Sequence, residues 1–147
     1  MERILQQIAR IRERVALLRS LQEGCRQRFI ADPMYRGALL HYLYLVADGC
    51  IVLAEQVIKL RSLRFPQSYA ESFDILGAAD ILRPDFAYHF AAIAGFRNFL
   101  AHDYEDVDPD FLCGPILGKL DEVEDFLRQI EAHFGSPADT STNQGEK

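Results

Sequence analysis

The chain has little of what would place it outside the soluble single-domain proteins. Its three cysteines, Cys25, Cys50 and Cys113, are an odd number without Cys-x-x-Cys spacing. Neither a disulfide framework nor a zinc site is therefore expected, and a reducing cytosol fits. With 9 glycines and 6 prolines in 147 residues, and 49% hydrophobic content, the composition is that of a globular chain able to bury one core. Residues 1–14 mix arginines with isolated apolar side chains, so no signal peptide is expected. The most apolar stretch, 38–54, is interrupted by His41 and Asp48 and is short for a bilayer span, which predicts a buried helix and no membrane association. No alternating pattern of strand length occurs. The paired Glu-x-x-His motifs of a di-metal bundle are also missing, so neither metal nor cofactor is expected.

Positive charge is scarce overall, with a net charge of −6, but it is unevenly placed. Residues 1–28 carry seven arginines against three glutamates, whereas 103–134 carry two basic and ten acidic side chains. A uniformly basic nucleic-acid surface is excluded, and any phosphate contact must come from a local patch or a paired subunit. The same asymmetry also suits two oppositely charged helices packing together.

Helical periodicity dominates the rest. Ile4, Ile8, Ile11, Val15, Leu18 and Leu21 step by three and four, predicting a first helix over residues 2–29. Asp32-Pro33 supplies an N-cap and first-turn proline for a second helix reaching residue 60, apolar on most sides and needing cover. Ser68-x-x-Glu71 has capping-box spacing for a short third helix ending near Gly77. Pro84 opens a fourth helix marked by Phe86, Phe90, Ile93, Phe96 and Leu100. Asp108-Pro109 opens a fifth with Phe111, Ile116, Leu120, Val123, Phe126, Leu127 and Ile130. From Gly135 the composition turns polar and aperiodic. The expectation is an all-α, antiparallel up-and-down four-helix bundle with an additional short helix over residues 1–134, followed by a disordered tail over 135–147.

Polar and ionisable groups crowd the end of the fourth helix: Arg97, Asn98, His102, Asp103, Tyr104. An arginine can hold phosphate oxygens bidentately, and a histidine titrates near neutrality and moves protons. Together they suffice for metal-independent attack of a ribose 2′-hydroxyl on the adjacent phosphate. On a regular helix, however, His102 lies roughly 140° from Arg97. The two converge only if the helix ends near Ala101 or if two subunits contribute. Arg and His near a helix C-terminus also serve simply to cap carbonyls. His41 and His89 fit core or interface positions. Lys59, Arg61 and Arg64 suit a helix C-terminus better than an RNA contact. Tyr42, Tyr44 and Phe90 suit packing better than base stacking.

The string Arg97-Asn98-x-x-x-His102-x-Tyr104 resembles the Arg-x4-His-x-Tyr motif of HepT-like toxins in the HEPN superfamily, and Glu105-Asp106-Val107-Asp108 resembles its continuation. The likeness extends to Asp32-Pro33-x-x-Arg36, to Ser68-Tyr69-Ala70-Glu71-Ser72-Phe73 with Leu76, and to Phe126-Leu127. It implies a homodimeric bundle with two motifs beside a shared cleft, the toxin of a type VII-like toxin–antitoxin pair. Arg97 would bind RNA phosphate, His102 would act as acid or base, and an MNT-type nucleotidyltransferase antitoxin would add AMP to Tyr104. Asp48 either orients Arg97 or forms a purely structural pair with it. Relatives often carry a second acid one turn later, where this chain has Val52. The alternative is a non-catalytic dimeric HEPN module that binds a nucleotidyltransferase or a nucleotide.

Overall fold

The computed structural model describes residues 1–102 and 106–134, among which no strand occurs. Helix α1, Glu2–Ser20, buries the predicted stripe of Ile4, Ile8, Ile11, Val15 and Leu18. It does not continue to residue 29 as expected. Gly24 takes φ 67°, a left-handed conformation in which a side chain is strained, and the chain restarts as α2, Cys25–Ala31. Helix α3, Pro33–Leu60, begins where the sequence placed it. Asp32 Oδ1 accepts from the backbone N–H groups of Met34 (3.0 Å) and Tyr35 (3.3 Å), satisfying donors that the first turn leaves unpaired. Ser68 caps α4, Tyr69–Ala78, by accepting from Glu71 N–H at 3.1 Å.

Two further helices expected to be continuous are broken. The fourth divides into α5, Pro84–Phe90, and α6, Ile93–His102. The break falls at two alanines, the best helix formers, so packing overrides propensity there. Ala92 and Ala94 donate to carbonyls only three residues back, tightening the turn. The turn lets Phe90 stack on Phe86 and Phe126 while α6 takes its own direction across α3. The fifth divides into α7, Pro109–Phe111, a π-helical turn Leu112–Ile116, and α8, Leu120–Phe134. Pro115 has no N–H for a regular intrahelical bond, and the wider turn accommodates it.

Helix α3 is the central rod. It packs against α1, α4 and α6 and buries Leu39, Leu43, Cys50, Ile51, Leu53, Ala54 and Val57. By length and composition alone α3 is apolar enough to cross a membrane, and 56% of its most apolar window is covered by the bundle. The charge asymmetry resolves as helix pairing. Arg12 of α1 holds Glu131 of α8 through both terminal nitrogens (2.7 and 2.6 Å) and reaches Glu124, and Arg19 holds Asp121. Two of the five arginines of the first helix are thus paired with α8 within the chain. Cys25 and Cys113, 88 residues apart, are joined by a disulfide that ties α2 to the π-helical turn, which corrects the expectation of no disulfide. No local spacing announces this pair, because the contact of α2 with α7 brings it together. Cys50 is a buried free thiol whose pKa is driven well above its ordinary value by burial.

Candidate active site

On α6, Ala94, Arg97 and Leu100 follow at steps of three, and Ala94 and Leu100 are both buried. That register turns Arg97 toward the core, where a cation needs partners. Helix α3 provides them from consecutive turns. Arg97 Nε donates to Asp48 Oδ1 at 3.1 Å, and one terminal nitrogen donates to the Tyr44 hydroxyl at 3.1 Å. The other terminal nitrogen donates to Asn98 Oδ1 at 3.2 Å. The guanidinium carbon also lies 5.2 Å from the ring centres of both Tyr44 and Tyr69, two cation–π contacts. Burial opposes the charge on Arg97, but Asp48 and the two tyrosines outweigh it, so the guanidinium pKa lies above its ordinary value.

A guanidinium has five N–H donors. The bonds to Asp48, Tyr44 and Asn98 use three, leaving one on each terminal nitrogen. With its side chain 19% exposed, Arg97 is a fixed, partly open cation of the kind that grips an oxyanion. Arg97, Asn98 and Asp48 were singled out from the sequence, and the structure brings the three together by hydrogen bonds. Sequence reasoning left Asp48 between orienting and structural roles, and the geometry joins it to Arg97 directly.

His102 is not brought to Arg97 within the chain. Helix α6 runs unbroken through His102, so of the two routes to convergence the early helix end does not occur. Five helical residues put the imidazole roughly 140° around and about 7.5 Å along the axis from Arg97, and His102 is exposed. Tyr104 lies outside the described residues.

Several other assignments change. Tyr44, read as packing, is an arginine partner as well as part of the core's edge. Tyr69 was not singled out as a site residue, and its signals were its place in the first turn of α4 and in the string Ser68-Tyr69-Ala70-Glu71-Ser72-Phe73. Glu55, also missed, stands two turns beyond Asp48 on α3. Burial and the nearby negative charge of Asp48 push its carboxyl pKa above the usual range. His41 and His89 are exposed rather than buried in the core. Arg61 donates to the His133 carbonyl (3.2 Å) and Arg64 pairs with Glu71 (2.8 Å), so both serve the fold. An apolar cavity of about 100 Å³ between α3, α6 and α8 contains none of the candidate catalytic side chains. Among the described residues no three His, Cys, Asp or Glu side chains converge as a metal site.

An all-helical bundle carrying this arginine and histidine on one helix defines the HEPN class. The model of the ribonuclease HepT-like family matches residues 4–130, and the chain belongs to that family. It is similar to the mRNA nuclease HepT of Shewanella oneidensis, 23% identical over 129 residues that cover 88% of this chain and 96% of the relative. It is also similar to the tRNA nuclease HepT of Aphanizomenon flos-aquae, 32% identical over 94 residues, 63% of each chain. Among solved structures, the tri-AMPylated Shewanella oneidensis HEPN toxin in complex with its MNT antitoxin superposes with a TM-score of 0.77. That structure is 23% identical, covering 88% of this chain and 96% of its own, and shows a shared fold.

Proposed function

We propose that this chain is the toxin of a toxin–antitoxin pair, a cytoplasmic, metal-independent endoribonuclease that works as a homodimer. The observation that carries the reading is Arg97, held by Asp48 and Tyr44 with donors left on both terminal nitrogens. Those donors suit two phosphate oxygens, and the charge stabilises negative charge developing on phosphorus. His102 moves the proton. As a base it takes the 2′-hydroxyl proton while that oxygen bonds to phosphorus; as an acid it protonates the departing 5′-oxygen. The products are a 2′,3′-cyclic phosphate and a free 5′-hydroxyl.

Because α6 separates Arg97 and His102, the site needs both subunits, the arginine of one facing the histidine of the other. Tyr104 is the switch. AMP added there by a nucleotidyltransferase of the MNT type places negative charge and bulk beside the phosphate site, repelling RNA. The activity belongs to residues 1–134, and deleting 135–147 leaves it unchanged.

The test uses AMP-free protein and labelled RNA. Arg97→Ala and His102→Ala are each inactive alone. When they are mixed, half the dimers are mixed pairs with one intact composite site, so about a quarter of wild-type activity returns. Inactivity of the mixture, with mixed dimers verified by mass, sinks the two-subunit site. A wild-type protein that leaves RNA intact sinks the ribonuclease reading itself and leaves the non-catalytic partner-binding module. Co-expression with a cognate nucleotidyltransferase should add AMP mass to the wild type and none to Tyr104→Phe.

A further inference from the structure

Beside Arg97 lies a cleft of about 560 Å³ between the end of α3, the segment leading into α4, and α6. Five residues give it its chemistry: Glu55, Phe65, Tyr69, Gly95 and Asn98. Gly95 contributes no side chain, and a Cβ built there meets nothing within 4 Å, so the α6 side of the cleft stays open. Phe65 is 82% exposed and Tyr69 42% exposed, two aromatic faces in water. The segment carrying Phe65 is braced. Glu71 accepts from Arg64 (2.8 Å) and from Gln67 N–H (2.9 Å), while Ser68 caps α4, so the ring is presented at little further ordering cost.

The cleft is continuous with the arginine site through two shared side chains. Tyr69 lines the cleft while its ring covers the Arg97 guanidinium, and Asn98 lines it while accepting from Arg97. A nucleotide whose phosphate sits on Arg97 therefore has its base within reach of this recess. The polar groups distinguish which base. Glu55 offers only acceptors, and no ion pair among the described residues engages it. Arg97 engages Oδ1 of Asn98, so the amide N–H groups are the part of Asn98 left for a ligand. Guanine alone presents two adjacent donors, N1–H and N2–H, to one carboxylate, with O6 beside them to accept from an amide. Adenine, cytosine and uracil each turn at least one lone pair toward such a carboxylate.

We propose that this cleft is a base-recognition subsite that selects a guanine next to the phosphate held by Arg97, with Phe65 and Tyr69 stacking on the base and Glu55 and Asn98 reading its edge. The inference rests on the ribonuclease reading for its substrate class. The raised pKa of Glu55 agrees with it, since a carboxylate uncomfortable in the empty site gains most from two N–H donors.

The test is binding, separated from cleavage. Full-length, AMP-free protein is titrated with fluorescent 2′-fluoro RNA tetramers, which lack the nucleophile, differing at one position among G, A, C and U. The G tetramer should bind about tenfold or more tightly, the scale of a bidentate base contact. Glu55→Gln should reduce that preference to less than threefold while keeping the affinity for the other bases. Phe65→Ala should weaken all four tetramers by a similar factor, as loss of stacking does. Equal affinity for the four bases overturns the proposal, as does a guanine preference that Glu55→Gln leaves intact. Failure to cleave ordinary RNA, alongside a Glu55-dependent guanine preference, sinks the ribonuclease reading alone. Cleavage without base preference sinks the subsite alone.

Discussion

Asp48→Asn removes one negative charge from the arginine's only charged partner among the described residues while keeping an acceptor of the same shape. At roughly 4 Å and an effective dielectric near 20 the gross attraction of such a pair is about 4 kcal/mol. The Asp48 side chain is 37% exposed and that of Arg97 19%, so water and desolvation offset much of it. A charge-assisted hydrogen bond retains about 1.5–3 kcal/mol net. The amide oxygen keeps part of the bond, and Tyr44 still holds the other end of the guanidinium. The expected loss of folding stability is therefore about 1 kcal/mol. Loosening the phosphate-binding fork by a similar energy in the transition state lowers kcat about fivefold. KM should stay level or fall, because an anion has been removed from beside RNA phosphate. Initial rates on labelled RNA, run beside urea unfolding curves, separate the two effects. An unchanged kcat, with the stability loss present, refutes the positioning role of Asp48 and leaves the pair structural.

The remaining predictions concern the fold around this site. Gly77→Ala places a Cβ 2.8 Å from that of Ala87, between α4 and α5, where neither backbone gives easily; a loss of about 1–3 kcal/mol is expected in thermal or urea unfolding. Glu55→Gln should be stabilising at neutral pH, where the carboxylate is charged. Because the folded carboxyl has a raised pKa, the native state holds the Glu55 proton more firmly than the unfolded chain. Its contribution is present below the ordinary carboxylate pKa and lost as pH rises through the shifted one, so the gain from Gln should vanish in acid, as unfolding curves at pH 4 and pH 7 will show. Breaking the link between Cys25 and Cys113, by reductant or by Cys113→Ser, should lower stability by about 2–4 kcal/mol for so long a closed loop. An unchanged melting temperature on reduction counters that.

What the sequence revealed was what is local. Asp32-Pro33 and Ser68-x-x-Glu71 specify caps through atoms a few residues apart, and both helices start where those signals stand. The apolar steps in α1 and α8 likewise name the buried side chains. The breaks at Gly24 and at Ala91-Ala92 were missed for different reasons. The first interrupts a stripe whose spacing runs on through Cys25 and Phe29. The second has no breaker residue, and only the competing demands of Phe90 and Arg97 divide that helix. Around the site, the motif on α6 was legible, as was the acid on α3. Tyr69, Glu55 and the partner role of Tyr44 depend on how α3, α4 and α6 meet, which no single-helix pattern contains.

The central claim is that Arg97 and His102 cut RNA, and it is tested most directly by incubating AMP-free wild-type and His102→Ala protein with labelled RNA in excess chelator. The account predicts cleavage by the wild type to 2′,3′-cyclic phosphate ends and a fall of at least about a hundredfold in His102→Ala with its fold intact. Full activity in that variant, or intact RNA with folded, unmodified wild type, contradicts it.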